Sequence, residues 1–122
     1  MKNNFAAILL FSASAFCANG FAQTGSVQRG QALYQSRCTA CHAIDTHQTG
    51  PAHRGVMGRR AGSAAGYKYS DELASSTLVW TPKNLNAWLT DPEKLIPGQR
   101  MGFQVESRKE RADLIAYLAT LK

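Results

Sequence analysis

Two thiols and an imidazole within five consecutive positions, Cys38-Thr39-Ala40-Cys41-His42, constrain this chain more than anything else in it. The C-x-x-C-H spacing is the attachment signal of a c-type haem. Thiols three residues apart on one turn can both add to the vinyl groups of a single porphyrin. The following His42 then lies under the iron and offers a ring nitrogen as axial ligand. A bare C-x-x-C also serves redox dithiols and half-sites for zinc. Here no second cysteine pair stands ready for zinc, and no strand–helix alternation surrounds the motif as a thioredoxin-like fold would require.

The first 22 residues read as a leader rather than as part of the fold. Lys2 gives a short positive start, an apolar run covers 5–16, and Gly20-Phe21-Ala22 places small residues at the −3 and −1 positions. That is a secretory signal peptide with cleavage after Ala22. The run is too short to span a bilayer, and bulky Phe16 before Cys17 argues against lipid attachment there. Residues 23–122 then form one domain, and the periplasm is its expected location. Cys17 leaves with the leader, so both remaining cysteines belong to the haem motif. Losing Lys2 leaves thirteen basic against eight acidic side chains, a net charge of +5. A basic surface favours acidic partners or anionic membrane surfaces, while no basic run supports nucleic-acid binding.

The pattern along the chain is helical with long connections. Val27–Arg37 predicts a helix that brings Gly30, Leu33, Tyr34 and Cys38 onto related faces. Residues 43–66, rich in glycine and holding Pro51, predict an ordered loop. Residues 71–76 predict one or two helical turns. Thr81-Pro82 is a helix start that runs to about Thr90, and Pro92 bars simple continuation. Ser107 and Glu110 form a capping box before a last helix with Leu114, Ile115, Leu118 and Leu121 as its apolar stripe. The expectation is an all-α domain whose loops need an organiser, which a haem provides.

The candidate second axial ligand is Met101, inside a loop bounded by Pro97 and Gly102. A thioether favours ferrous over ferric iron and raises the reduction potential. Met57 is the only other methionine outside the leader, and it lies within the loop that follows His42. Buried methionines are core filler far more often than ligands; the surroundings of Met101 reverse that prior. His47 and His53 fall close after His42 and read as loop residues rather than ligands.

These residues together resemble the class I, mitochondrial-type cytochromes c and their bacterial periplasmic monohaem relatives, over essentially the whole of 23–122. Gly30 with Tyr34, and Leu114 with Tyr117, match the crossing of first and last helices. Cys38, Cys41 and His42 match the haem motif, and Gly50-Pro51 matches the loop whose carbonyl takes the imidazole N–H. Gly58-Arg59, Gly66-Tyr67-Lys68-Tyr69-Ser70 and Trp80 match the groups near the haem propionates. Leu85, Leu89 and Pro92 match the helix over the distal face, and Ile96-Pro97-Gly98-Gln99-Arg100-Met101-Gly102-Phe103 matches the methionine loop.

The resemblance implies a cytochrome c-like fold of short helices and ordered loops around one haem c, bound covalently through Cys38 and Cys41. His42 and Met101 would ligate the iron, and Arg59, Tyr69 and Trp80 would hold the propionates. The implied function is a periplasmic one-electron carrier between respiratory-chain or other redox partners, with no catalytic residues and no small-molecule substrate. Its docking would be transient, on acidic partner faces, by a monomer at most peripherally associated with membranes. Two alternatives are a haem subunit relaying electrons inside a larger dehydrogenase or oxidase, and a ligand-binding or peroxidatic haem protein with Met101 displaced. Three positions depart from the family. His53 stands at a usually apolar site, Trp88 where a tyrosine is common, and Glu93 where a lysine often flanks the exposed haem edge. Arg37, Lys94 and Arg100 remain of the usual basic ring.

Overall fold

The computed structural model describes residues 24–122. The leader assigned to 1–22 lies outside the described residues. Among the described residues five helices follow in order: α1 (Val27–Arg37), α2 (Asp71–Ala74), α3 (Pro82–Thr90), α4 (Pro92–Leu95) and α5 (Arg108–Leu118). Among the described residues the only extended pairing is an isolated antiparallel bridge of Arg60 with Val79. The all-α expectation holds.

Local signals set the helix starts. Ser26, Ser70, Thr81, Asp91 and Ser107 each cap a helix, their side-chain oxygens accepting an N–H from the first turn. Pro82 and Pro92 sit in the first turns of α3 and α4, where a missing N–H costs nothing. Pro92 does stop α3, but Asp91 caps a further short helix that the sequence reading did not anticipate. The capping box at Ser107 forms by half. Ser107 Oγ accepts the N–H of Glu110 at 3.3 Å, while the Glu110 carboxylate reaches across to Arg37 at 2.7 and 3.0 Å.

The crossing of α1 on α5 frames the molecule. Gly30 permits it: a Cβ there would lie 1.9 Å from the carbonyl oxygen of Asp113. The rings of Tyr34 and Tyr117 meet beside it at 5.3 Å. Asp113 is almost wholly buried in the crossing and accepts from Ser26 N–H at 2.6 Å and from Arg29 at 2.8 and 3.0 Å. Lys109 stands 3.5 Å away. These donors hold the Asp113 carboxyl well below its usual range, at about 2, with the Arg29 hydrogen bonds as the largest cause. A buried carboxylate beside the first turn of α1 also complements that helix's dipole.

Leu85, Trp88 and Leu89 from α3 and Leu114 and Leu118 from α5 form the core with Trp80 and Val105. The long 43–66 segment is irregular, yet its backbone is tied down by bonds from His53 N–H to Ala43 O and Arg54 N–H to Ile44 O. Arg54 also donates to the Lys122 carbonyl, and Gly55 N–H to that of Leu121, which closes the loop on the chain's end.

Candidate functional site

The motif Cys38–His42 continues α1 by one more turn. The carbonyl of Cys38 accepts N–H bonds from both Cys41 (3.1 Å) and His42 (2.9 Å), so one turn carries both thiols and the imidazole. Cys38 is half-buried and Cys41 exposed. Burial pushes the Cys38 thiol up to about 11, the opposite of the depressed values of reactive thiolates.

His42 is oriented from one side. Its Nδ1–H donates to the Pro51 carbonyl at 2.8 Å, which fixes the proton there and leaves the Nε2 lone pair free to ligate. The approach needs a glycine next to Pro51, since a Cβ at Gly50 would sit 2.2 Å from the His42 ring. Burial lowers the imidazole pKa, opposed by the Pro51 bond. His53 stacks on His42 with centroids 4.1 Å apart and planes 20° from parallel. Its Nδ1 pairs with the Tyr34 hydroxyl at 2.9 Å. Burial foremost, then His42 and Arg59, brings His53 down to about 3, so it is neutral in the folded protein. The usually apolar position is therefore filled by an uncharged ring packed flat on His42. His47 is a loop clip: it accepts Ala52 N–H on Nδ1 and donates from Nε2 to Ala65 O.

His42 faces a cavity of about 450 Å³ enclosed by largely apolar side chains. Leu85, Trp88 and Leu89 of α3, Leu114 and Leu118 of α5, and Met101 line it. So do Cys38, Cys41, Arg59, Tyr69 and Trp80, and the residues assigned to the haem and its iron from the sequence thus meet in one place. Met57 does not. It faces a separate groove beside Ile115 and Ala119 on the far side of α5.

The polar end of the cavity is built by pairing 58–61 with 78–80. Gly58 N–H donates to Trp80 O, Trp80 N–H to Arg59 O and Ala61 N–H to Leu78 O, which sets Arg59 and Trp80 side by side. The Arg59 guanidinium donates to the carbonyls of Arg54 (3.0 Å) and Ala52 (3.2 Å), but its Nε is buried without a partner. An orphaned buried cationic donor is costly, and this one fits a ligand that brings its own carboxylate. Tyr69 accepts Ala64 N–H at 3.2 Å, which leaves its hydroxyl proton free to donate. Trp80 packs edge-on against Trp88 at 5.2 Å. An apolar slot, a thiol pair, a free imidazole nitrogen, a thioether and an unpaired arginine donor fit one haem c.

Sequence reasoning missed Tyr34 as partner of His53, and Glu93 and Gln99 as supports of the methionine segment. A glutamine between glycine and arginine carries no signal of its own; only its neighbours in space give it a role.

Comparison with known proteins agrees with this geometry. The sequence model of the cytochrome c family matches residues 27–122. The chain is 41% identical to a cytochrome c of Euglena viridis over 101 residues, covering 80% of this chain and 99% of that protein. It is 39% identical to cytochrome c2 of Rhodopila globiformis over 106 residues, covering 84% of this chain and all of that one. Among solved structures, cytochrome cH from Methylobacterium extorquens superposes with a TM-score of 0.75 at 40% identity, covering 79% of this chain and 99% of that chain.

Proposed function

Because the chain belongs to the cytochrome c family, with haem c joined through Cys38 and Cys41, we propose that it is a periplasmic one-electron carrier whose iron is ligated by His42 and Met101. When bound, the haem supplies a ferric/ferrous couple. The observation that carries the ligand assignment is that His42, with Nε2 unbonded, and Met101 line the same apolar cavity.

The chain's own residues do four things there. His42, held by Pro51, offers nitrogen in a fixed orientation, and the flat stack of His53 limits its rotation. Met101 offers a soft neutral donor that stabilises the reduced state. Arg59, Tyr69 and Trp80 supply hydrogen-bond donors for the propionates, and the apolar walls exclude water. With His42 and Met101 both placed to hold the iron, neither oxidation state would need to gain or lose a protein ligand, which would keep reorganisation on electron transfer small. Cys41 and Phe103, both exposed at the cavity's margin, mark where a partner would approach. Of the basic side chains at the cavity Arg37 is already paired with Glu110, so steering of an acidic partner falls mainly to the exposed Lys68 and Arg100. Among the described residues no helix is long and apolar enough to cross a membrane. Export follows from the leader at 1–22, and docking is transient and by a monomer.

The test is the visible and near-infrared spectrum of the purified holoprotein, with and without carbon monoxide. A low-spin spectrum with a sulfur-to-iron charge-transfer band, lost in Met101→Ala and indifferent to carbon monoxide, is expected. A high-spin spectrum with rapid carbon monoxide binding would mean an open iron and overturn the carrier reading.

A further inference from the structure

The segment that carries Met101 is anchored in the core at both ends. Ile96 is buried before it, and Val105 after it donates its N–H to Leu89 O at 2.7 Å. Between these anchors most positions are exposed, so something else must hold the thioether in place. Part of the hold is a turn in which Gln99 N–H donates to Ile96 O at 3.2 Å and Gly98 adopts φ +91°. The rest is a side-chain relay that begins on α4. Glu93 accepts Gly98 N–H on Oε1 at 3.0 Å and the Gln99 side-chain Nε2 on Oε2 at 3.2 Å. With its nitrogen turned to the carboxylate, Gln99 has its oxygen free, and that oxygen accepts the backbone N–H of Met101.

From these contacts we propose that Glu93 is a positioning residue for Met101, acting through Gln99. The inference rests on Met101 being the iron ligand. The chemistry selects a carboxylate at 93, because both groups facing it are donors. An amide there has one oxygen and one nitrogen. If the oxygen takes Gly98 N–H, the nitrogen faces Gln99, which must turn its own oxygen to it and present a nitrogen to Met101 N–H, donor against donor. If the oxygen takes Gln99, the nitrogen faces Gly98 N–H instead. Either way one N–H, that of half-buried Met101 or of exposed Gly98, loses its side-chain acceptor. The position where the family often carries a lysine thus holds, in this chain, an acceptor for the methionine segment. Neither Glu93 nor Gln99 lines the cavity, so neither acts on the haem directly.

The experiment is an imidazole titration of ferric holoprotein, in which imidazole competes with Met101 for the iron and loss of the sulfur-to-iron band reports the exchange. Glu93→Gln, Gln99→Leu and the double variant are compared with the unmodified protein. Glu93→Gln should raise the apparent imidazole affinity about fivefold, the worth of one partly exposed hydrogen bond. In the Gln99→Leu background the same change should alter it less than about twofold, because no amide remains to be turned. The Glu93→Gln effect should persist at high salt, where a through-space charge effect fades. An unchanged affinity in Glu93→Gln, or the same factor in both backgrounds, would overturn the relay while leaving the ligand intact. Absence of the sulfur-to-iron band in the unmodified protein would instead remove the ligand assignment, and this proposal with it.

Discussion

Gly30→Ala sets two effects of opposite sign against each other. In an exposed helix interior the change would stabilise by about 1 kcal/mol, because alanine loses less backbone entropy than glycine. Here the added Cβ would lie 1.9 Å from Asp113 O, 2.6 Å from its carbonyl carbon and 2.8 Å from Tyr117 Cβ. Two of these atoms belong to the backbone of α5 and cannot swing aside. Relieving the contact requires α1 to retreat by roughly 1 Å, and overpacking of this kind costs about 1–3 kcal/mol. The retreat also stretches the bonds from Ser26 N–H and Arg29 to buried Asp113, worth about 1 kcal/mol with Arg29 half in water. The penalty outweighs the helix gain, and a net loss of about 1–3 kcal/mol follows. Guanidinium chloride unfolding of the holoprotein, followed by tryptophan fluorescence, measures it. Gln31→Ala, at an exposed position of the same helix, serves as the control for propensity alone. A Gly30→Ala protein as stable as the unmodified one would refute the argument that close approach, rather than local flexibility, demands glycine here.

Asp113 should make stability depend on acid. Its folded pKa of about 2 lies below the ordinary 3.8, so its contribution is fully present above that value and is lost as pH falls toward 2. Half-exposed Arg29 is screened by water, which reduces the effect to about 1 kcal/mol; the gap in urea midpoint between unmodified protein and Asp113→Asn should therefore close between pH 4 and 2. His53→Leu should cost about 1–3 kcal/mol because it orphans the buried Tyr34 hydroxyl, and adding Tyr34→Phe should recover most of that loss. Additive losses in equilibrium unfolding would count against the pairing. Removal of the haem should abolish the cooperative thermal transition seen by circular dichroism, since Trp80, Trp88, Leu85 and Leu114 would then face water across the cavity. An apoprotein melting like the holoprotein would show that the core suffices without it.

The features legible in the sequence share one property, which is that their chemistry is local. Thioether attachment needs Cys38 and Cys41 on one turn and ligation needs His42 beside them, so the spacing points to the cofactor once the rest of the chain offers no zinc or dithiol partner. Helix starts are written by a capping oxygen three residues before the N–H it accepts, and α3 and α5 begin where Thr81 and Ser107 say they do. The short α4 was missed because Pro92 reads as a stop when the Asp91 cap is not weighed beside it. Met101 could be picked out because its surroundings resemble a known loop, and Met57 could be set aside only on position. Tertiary structure decided the rest. It turned Glu110 from its own cap toward Arg37, 73 residues away, and brought Asp113 to Ser26 across 87. It laid His53 flat on His42, left Arg59 Nε unpaired and made Glu93 an acceptor for the methionine segment. The sequence by itself determined which cofactor the chain carries and which atoms are candidates to hold it. How firmly those atoms are held was decided only by packing, because a side chain's partner depends on distances in space that no spacing along the chain records.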